Sequence, residues 1–153
     1  RGESLMAHGL EMQRATAGLE QNQSAVFALQ LGTLLLERGR AEDAEVHFEA
    51  AFAARKVMGA EVAAELGERY LALRKPERAV ELLAAREEPS ADARVRGRRW
   101  LLLGTAHARL GVVEAAREAL RRAQELLAEE AGAEELASRA AAELAALARG
   151  AGG

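Results

Sequence analysis

Cysteine is absent from the 153 residues, which removes disulfides, thiolate metal sites and cysteine nucleophiles together. Its absence fits a reducing compartment, so a cytoplasmic location is favoured. Aromatics make up only 3% of the chain, too few for the stacking platform that single-stranded nucleic acid uses. Proline occurs only at Pro76 and Pro89, so most of the chain can run as uninterrupted helix. Lysine occurs only at Lys56 and Lys75, and the remaining basic charge is arginine. The net charge of −3 leaves no basic field to gather nucleic acid or anionic lipid. The longest nearly apolar run, AVFALQLGTLLL over 25–36, is broken by Gln30 and is far short of the ~20 residues that cross a bilayer. Membrane insertion is not expected. No phosphate-cradling glycine loop, dinucleotide turn or serine elbow is present, so neither a cofactor nor a catalytic residue is expected. No signal peptide is visible, and the chain opens at Arg1 instead of Met, which implies a fragment or a processed start.

Alanine and charge fill the space these absences leave. Half of the residues are apolar and 29% are charged, a composition that favours an all-helical protein with small side chains at its helix contacts. The length suits one domain.

The sequence repeats itself. Leu-Gly occurs at Leu31-Gly32, Leu66-Gly67 and Leu103-Gly104, followed three residues later by Leu35, Tyr70 and His107. Twelve residues after each glycine stands Ala44, Ala79 or Ala116, and four further on Phe48, Leu83 or Leu120. Ala51 and Ala123 complete the outer copies, whereas Arg86 breaks the rule in the middle one. Copies starting near Ala25, Ala60 and Gly97 are separated by 35 and 37 residues.

This pattern resembles the tetratricopeptide repeat (TPR) family, a helix–turn–helix unit of about 34 residues with the signature W…LG…Y…A…F…A. Trp100, Leu103, Gly104, Ala116, Leu120 and Ala123 carry the fullest match, with His107 in place of Tyr. The resemblance covers residues 25–130 and implies an all-α fold of antiparallel helical hairpins forming a right-handed superhelix. Physically, a Gly or Ala at each crossing lets two helices approach while large neighbours fill the flanks. Gly39 and Gly111 are expected to end their helices in the left-handed conformation, and Pro76 to open a helix.

Eight helices are expected: 3–20, 24–38, 41–55, 59–73, 76–87, 91–109, 112–130 and 133–149. The first, within a segment 1–22, carries a weak apolar stripe (Leu5, Met6, Leu10, Ala17, Leu19). Asn22-Gln23-Ser24 separates it from the second, with Ser24 as N-cap. Residues 25–130 form three hairpins, Pro89 stops the fifth helix, 133–149 cap the array with one apolar face, and 150–153 form a disordered tail.

Chemistry is scarce. His8, His47 and His107 are too widely separated to pair as ligands on one helix, and His107, in the aromatic slot, is expected to be packed and hydrogen-bonded. Scattered carboxylates read as solvated faces. RVRGRRW (94–100) has two readings: a hydrated arginine-rich face, or an anion site for acidic side chains of a partner peptide. Its cations sit at the start of a helix, where the dipole disfavours them.

The resemblance implies a concave groove lined by the first helix of each repeat. Carried over, it gives Val26, Leu29, Thr33, Leu36 and Glu37, then Glu61, Ala64, Glu68 and Leu71, then Arg98, Leu101, Thr105, Ala108 and Arg109. The groove would have an apolar floor, an acidic middle and a basic end, suiting a protein segment with apolar anchors and acidic flanks. Leu101→Glu is expected to weaken such binding with helicity nearly intact. The carboxylate-gripping TPR subclass does not fit, because Leu29, Thr33 and Glu68 stand where its polar and basic residues would. The function expected is a non-catalytic protein-binding scaffold or adaptor. Two alternatives stay open: a type III secretion class II-like chaperone of translocator proteins, and a sensor fragment of a larger bacterial signalling ATPase or transcription regulator. Nucleic acid is not an expected partner, and a homodimer is open.

Overall fold

The computed structural model describes the backbone of residues 2–86 and 91–152 and the side chains of 20–86 and 91–150. Seven α-helices and no strand occur among the described residues: α1 Gly2–Glu37, α2 Ala41–Ala53, α3 Ala60–Ala72, α4 Pro76–Leu83, α5 Ala93–Arg109, α6 Val113–Leu127 and α7 Glu134–Gly152. By its contacts the chain divides into two compact units, Arg1–Val62 and Ala63–Gly153.

The repeat register is written into the helix contacts. A methyl group placed on Gly32 would meet Phe48, one on Gly67 would meet Leu83, and one on Gly104 would meet Leu120, the same sixteen-residue separation each time. Ala44, Ala79 and Ala116 are completely buried at the matching positions. Each hairpin therefore nests a glycine of its first helix against a large side chain of its second.

The first helix of each repeat also ends in the same way. Gly39 N–H donates to Leu36 O at 3.0 Å and Arg40 N–H to Leu35 O at 2.9 Å. Gly111 N–H donates to Ala108 O at 3.1 Å and Val112 N–H to His107 O at 2.9 Å. Arg74 N–H donates to Leu71 O at 3.0 Å and Lys75 N–H to Tyr70 O at 2.9 Å. These are Schellman caps, which satisfy carbonyls that the helix leaves orphaned. Gly39 and Gly111 hold the left-handed position at φ 76° and 79°, as expected, while Arg74 holds it at φ 60° in the middle repeat. Pro76 opens α4.

In the first unit, α1 packs on α2, with Ala25, Leu29, Ala44, Phe48 and Ala51 buried. The helix break expected at residues 22–24 does not occur; α1 runs through it. None of Asn, Gln or Ser forbids a helix, each giving up at most about 0.7 kcal/mol against Ala. Asn22 gains a tertiary bond instead, its Oδ1 accepting from Gly59 N–H at 3.2 Å. Ser24 is therefore an interior residue and not a cap. The side chains of the expected N-terminal stripe, and of His8, lie outside the described residues.

In the second unit, α5 and α6 form the central hairpin, with α4 against α5 and α7 against both α6 and α5. Leu101, Leu120, Ala123, Leu127, Ala133, Leu136 and Ala140 form one apolar cluster. Asp92 caps α5, its side chain accepting from Val95 N–H at 2.9 Å. The expected stop at Pro89 falls on residues 87–90, outside those described, and α4 itself already ends at Leu83. Residues 150–152, expected as a disordered tail, continue α7.

Candidate functional site

The five candidate residues of α1 share one face by helical spacing. Val26, Thr33 and Leu36 are half-buried, Leu29 is buried and Glu37 is exposed. Thr33 Oγ1 donates to Leu29 O at 2.8 Å. A neighbouring strip of the same helix leaves large apolar groups in water, with Phe27 63% and Leu34 52% exposed. Gln30 is also exposed and Leu31 half-buried on that strip. Unpaired apolar surface of this kind marks a place where something else can dock.

The second unit treats its candidates differently. Glu61, at the start of α3 and still in the first unit, is exposed, but Ala64, Leu71, Leu101 and Thr105 of the second unit are all buried. Thr105 Oγ1 donates to Leu101 O at 2.8 Å. Leu101 is completely enclosed in the cluster that includes Leu136 and Ala140 of α7. It is a core residue, not an accessible anchor, because the C-terminal helix covers the part of α5 that the sequence suggested would lie open.

The expected acidic middle and basic end meet each other. Arg98 Nη2 pairs with Glu65 at 2.8 Å and with Glu68 at 3.1 Å. Arg139 of α7 reaches the other oxygen of Glu68 at 2.9 Å, and Arg69 pairs with Glu65 at 3.5 Å. Burial would raise the pKa of Glu68, but the hydrogen bonds and charges of Arg139 and Arg98 outweigh it and hold the carboxyl below its ordinary range. For Arg98, burial is likewise outweighed by Glu65 and Glu68, which hold its pKa above the ordinary value. Arg98 is thus engaged inside the unit and does not stand free for a partner's acid. Glu65 as a partner of Arg98 and Arg139 as a partner of Glu68 were not legible, since α3, α5 and α7 are far apart in sequence. Ala108 is half-buried, and Arg109, although exposed, donates from Nη1 to Leu71 O at 2.9 Å.

The RVRGRRW stretch is mostly structural. Arg99 is buried, donates from Nη1 to Leu83 O at 2.9 Å and lies 4.6 Å from the Trp100 ring centre. Arg122 lies 4.9 Å from the same ring. Trp100 lines a hollow of about 890 Å³ between α5 and α6. Its rim is largely self-neutralised by the Arg117–Glu114 pair at 2.8 Å and the Arg122–Glu118 pair at 3.4 Å. Neither reading of the stretch, hydrated face or anion site, describes Arg98 and Arg99. His107 is half-buried with its Nδ1 lacking a hydrogen-bond partner among the described residues, where a bonded histidine was expected. No group of three metal-ligating side chains occurs among the described residues. No described helix is long and apolar enough to cross a membrane.

No family model matches the chain, and no curated protein does. A solved structure does resemble it. The crystal structure of PcrH from Pseudomonas aeruginosa matches at a TM-score of 0.62 and 23% identity, over 83% of this chain and 93% of PcrH. The chain has a helical-repeat fold. The three equivalent glycine contacts and three equivalent caps are the same conclusion reached from within the molecule.

Proposed function

We propose that this protein is a chaperone of the type III secretion class, holding an apolar segment of a translocator protein. The observation that carries this reading is the likeness to PcrH, a type III secretion chaperone, which extends over 93% of that chain. The α1 face supports it chemically. Val26 and Leu36 are partly open above buried Leu29, and Phe27 and Leu34 are exposed beside them. An apolar segment laid there would remove both surfaces from water, at about 25 cal/mol per Å² of apolar area. The coarser role, a non-catalytic helical-repeat adaptor for another protein, needs the same face. The finer reading follows the fold likeness, and an exposed apolar segment is the kind that must be kept from aggregating.

The test is co-expression with a translocator protein, followed by affinity capture and quantification of soluble complex. The parent chain is expected to hold the partner in solution. Leu36→Arg should reduce recovery about tenfold, the effect of losing one central apolar anchor and desolvating a charge in its place, with ellipticity at 222 nm unchanged. Equal recovery with Leu36→Arg, or no complex with the parent, would refute the reading.

A further inference from the structure

The turn joining α3 to α4 has the same hydrogen bonds as the turns that end α1 and α5, but a different residue at its left-handed position. Gly39 and Gly111 occupy that position in the outer repeats and Arg74, at φ 60°, in the middle one. A Cβ in this conformation crowds the following carbonyl, a strain that glycine avoids. The cap itself has no use for an arginine side chain, because its bonds come from the backbone N–H groups of Arg74 and Lys75.

The side chain stands instead at a hollow of about 560 Å³, lined by Leu71, Ala72, Arg74, Pro76 and Arg109. Two guanidinium groups and three apolar residues form this lining, and no carboxylate does. Arg109 is anchored by its bond to Leu71 O, which leaves further N–H donors of the same planar group for a ligand. No ion pair engages Arg74 among the described residues. Glu77, the nearest acid along the chain, is exposed in the first turn of α4 and does not line the hollow. Arg109 spends one donor on a carbonyl, but no glutamate or aspartate neutralises either arginine of this pair among the described residues.

We infer that the hollow at the α3–α4 turn docks an acidic residue of a protein partner, its carboxylate held between Arg74 and Arg109. An adjacent apolar side chain of the partner rests on Ala72 and Pro76. The inference extends the protein-binding reading by assigning a place to the partner's acidic flank. Planar forks of N–H donors suit a carboxylate in the two-bond manner.

The test uses the full chain and a short acetylated, amidated peptide alternating leucine and aspartate, titrated by NMR at low and high salt. Binding should shift resonances of residues 71–76 and Arg109 and weaken with salt. A control peptide with lysine in place of aspartate should not bind. Arg74→Gly should weaken affinity about tenfold, as for loss of one charge-assisted hydrogen-bonded contact. It should keep the fold, since glycine holds the same position in the sister turns; Arg74→Gln, removing only the charge, should act in the same direction. Unchanged affinity in both variants, shifts confined to other residues, or inorganic phosphate binding as well as the peptide would overturn the inference. Capture of the translocator partner is the separate readout. If it persists in Arg74→Gly while the parent ignores the peptide, the hollow is overturned and the chaperone reading stands. If the peptide binds as expected but no translocator is captured, the hollow stands and the chaperone reading falls.

Discussion

At Gly104 an added methyl would lie 2.7 Å from Leu120 Cγ and 3.2 Å from the carbonyl oxygen of Ala116. The second neighbour is backbone, so relief requires the two helices to part. At Gly67 the tightest neighbour is the terminal Cδ1 of Leu83, at 2.9 Å, and the next lies at 3.6 Å. A terminal methyl can rotate away. Alanine gains about 1 kcal/mol over glycine in a helix, while overpacking costs about 1–3 kcal/mol. Gly104→Ala should therefore destabilise by about 1 kcal/mol or more, whereas Gly67→Ala should be nearly neutral. Urea midpoints of the two variants decide it, and equal losses would contradict the geometry. The repeat spacing made these glycines legible as contact positions. It did not rank them, because the rank depends on whether the neighbour is a rotatable methyl or a carbonyl.

Among the helices, α7 is held by an apolar seam, with Leu136 and Ala140 buried and Ala137, Leu144 and Leu147 partly buried, and by the Arg139–Glu68 pair to α3. The folded-state pKa of Glu68 lies below its ordinary value of 4.5. Its contribution to stability is therefore complete above that value and lost as pH falls through the folded pKa. Glu68→Gln should be less stable than the parent near neutral pH, and the difference should shrink as pH falls from about 6 to about 3. Denaturant titrations at several pH values measure this, and a gap that does not narrow on acidification would show that Glu68 is not held by its arginines. Sequence placed α2 through α6 within a few residues of their observed spans, because apolar spacing and turn glycines act locally. It placed a break inside α1 at residues 22–24 and ended α7 too early, at 149, and at neither place does a proline or a turn glycine force a stop.

For the molecule as a whole, the division into residues 1–62 and 63–153 gives core substitutions a definite territory. Leu101 is completely buried between α5, α6 and α7, so Leu101→Glu places an unpaired carboxylate in the apolar cluster of the second unit. Such a change costs several kcal/mol, enough to exhaust much of a stability of about 5–15 kcal/mol. Hydrogen exchange should show lost protection in α5, α6 and α7, with ellipticity clearly reduced. Retained protection there would mean that Leu101 is not the core residue its burial indicates. This reverses the expectation implied by the family resemblance, which put Leu101 on an open groove with helicity intact. An open groove requires the first-helix face to stay uncovered in every repeat, and here the C-terminal helix closes it in the last.

The sequence by itself determined the helical class, the three-fold register and the glycine-ended turns, since these follow from side-chain volume and backbone preference at fixed spacings. Tertiary structure alone decided which of the candidate side chains face water. Glu65, Glu68, Arg98 and Arg139 are brought together from three helices, and their mutual attraction removes them from the list of free charges. Arg74 and Arg109, brought to one hollow from different repeats, have no carboxylate in the lining to answer them. Charge available to a partner is what remains after the fold has paired its own, and that remainder depends on distances that no linear spacing encodes.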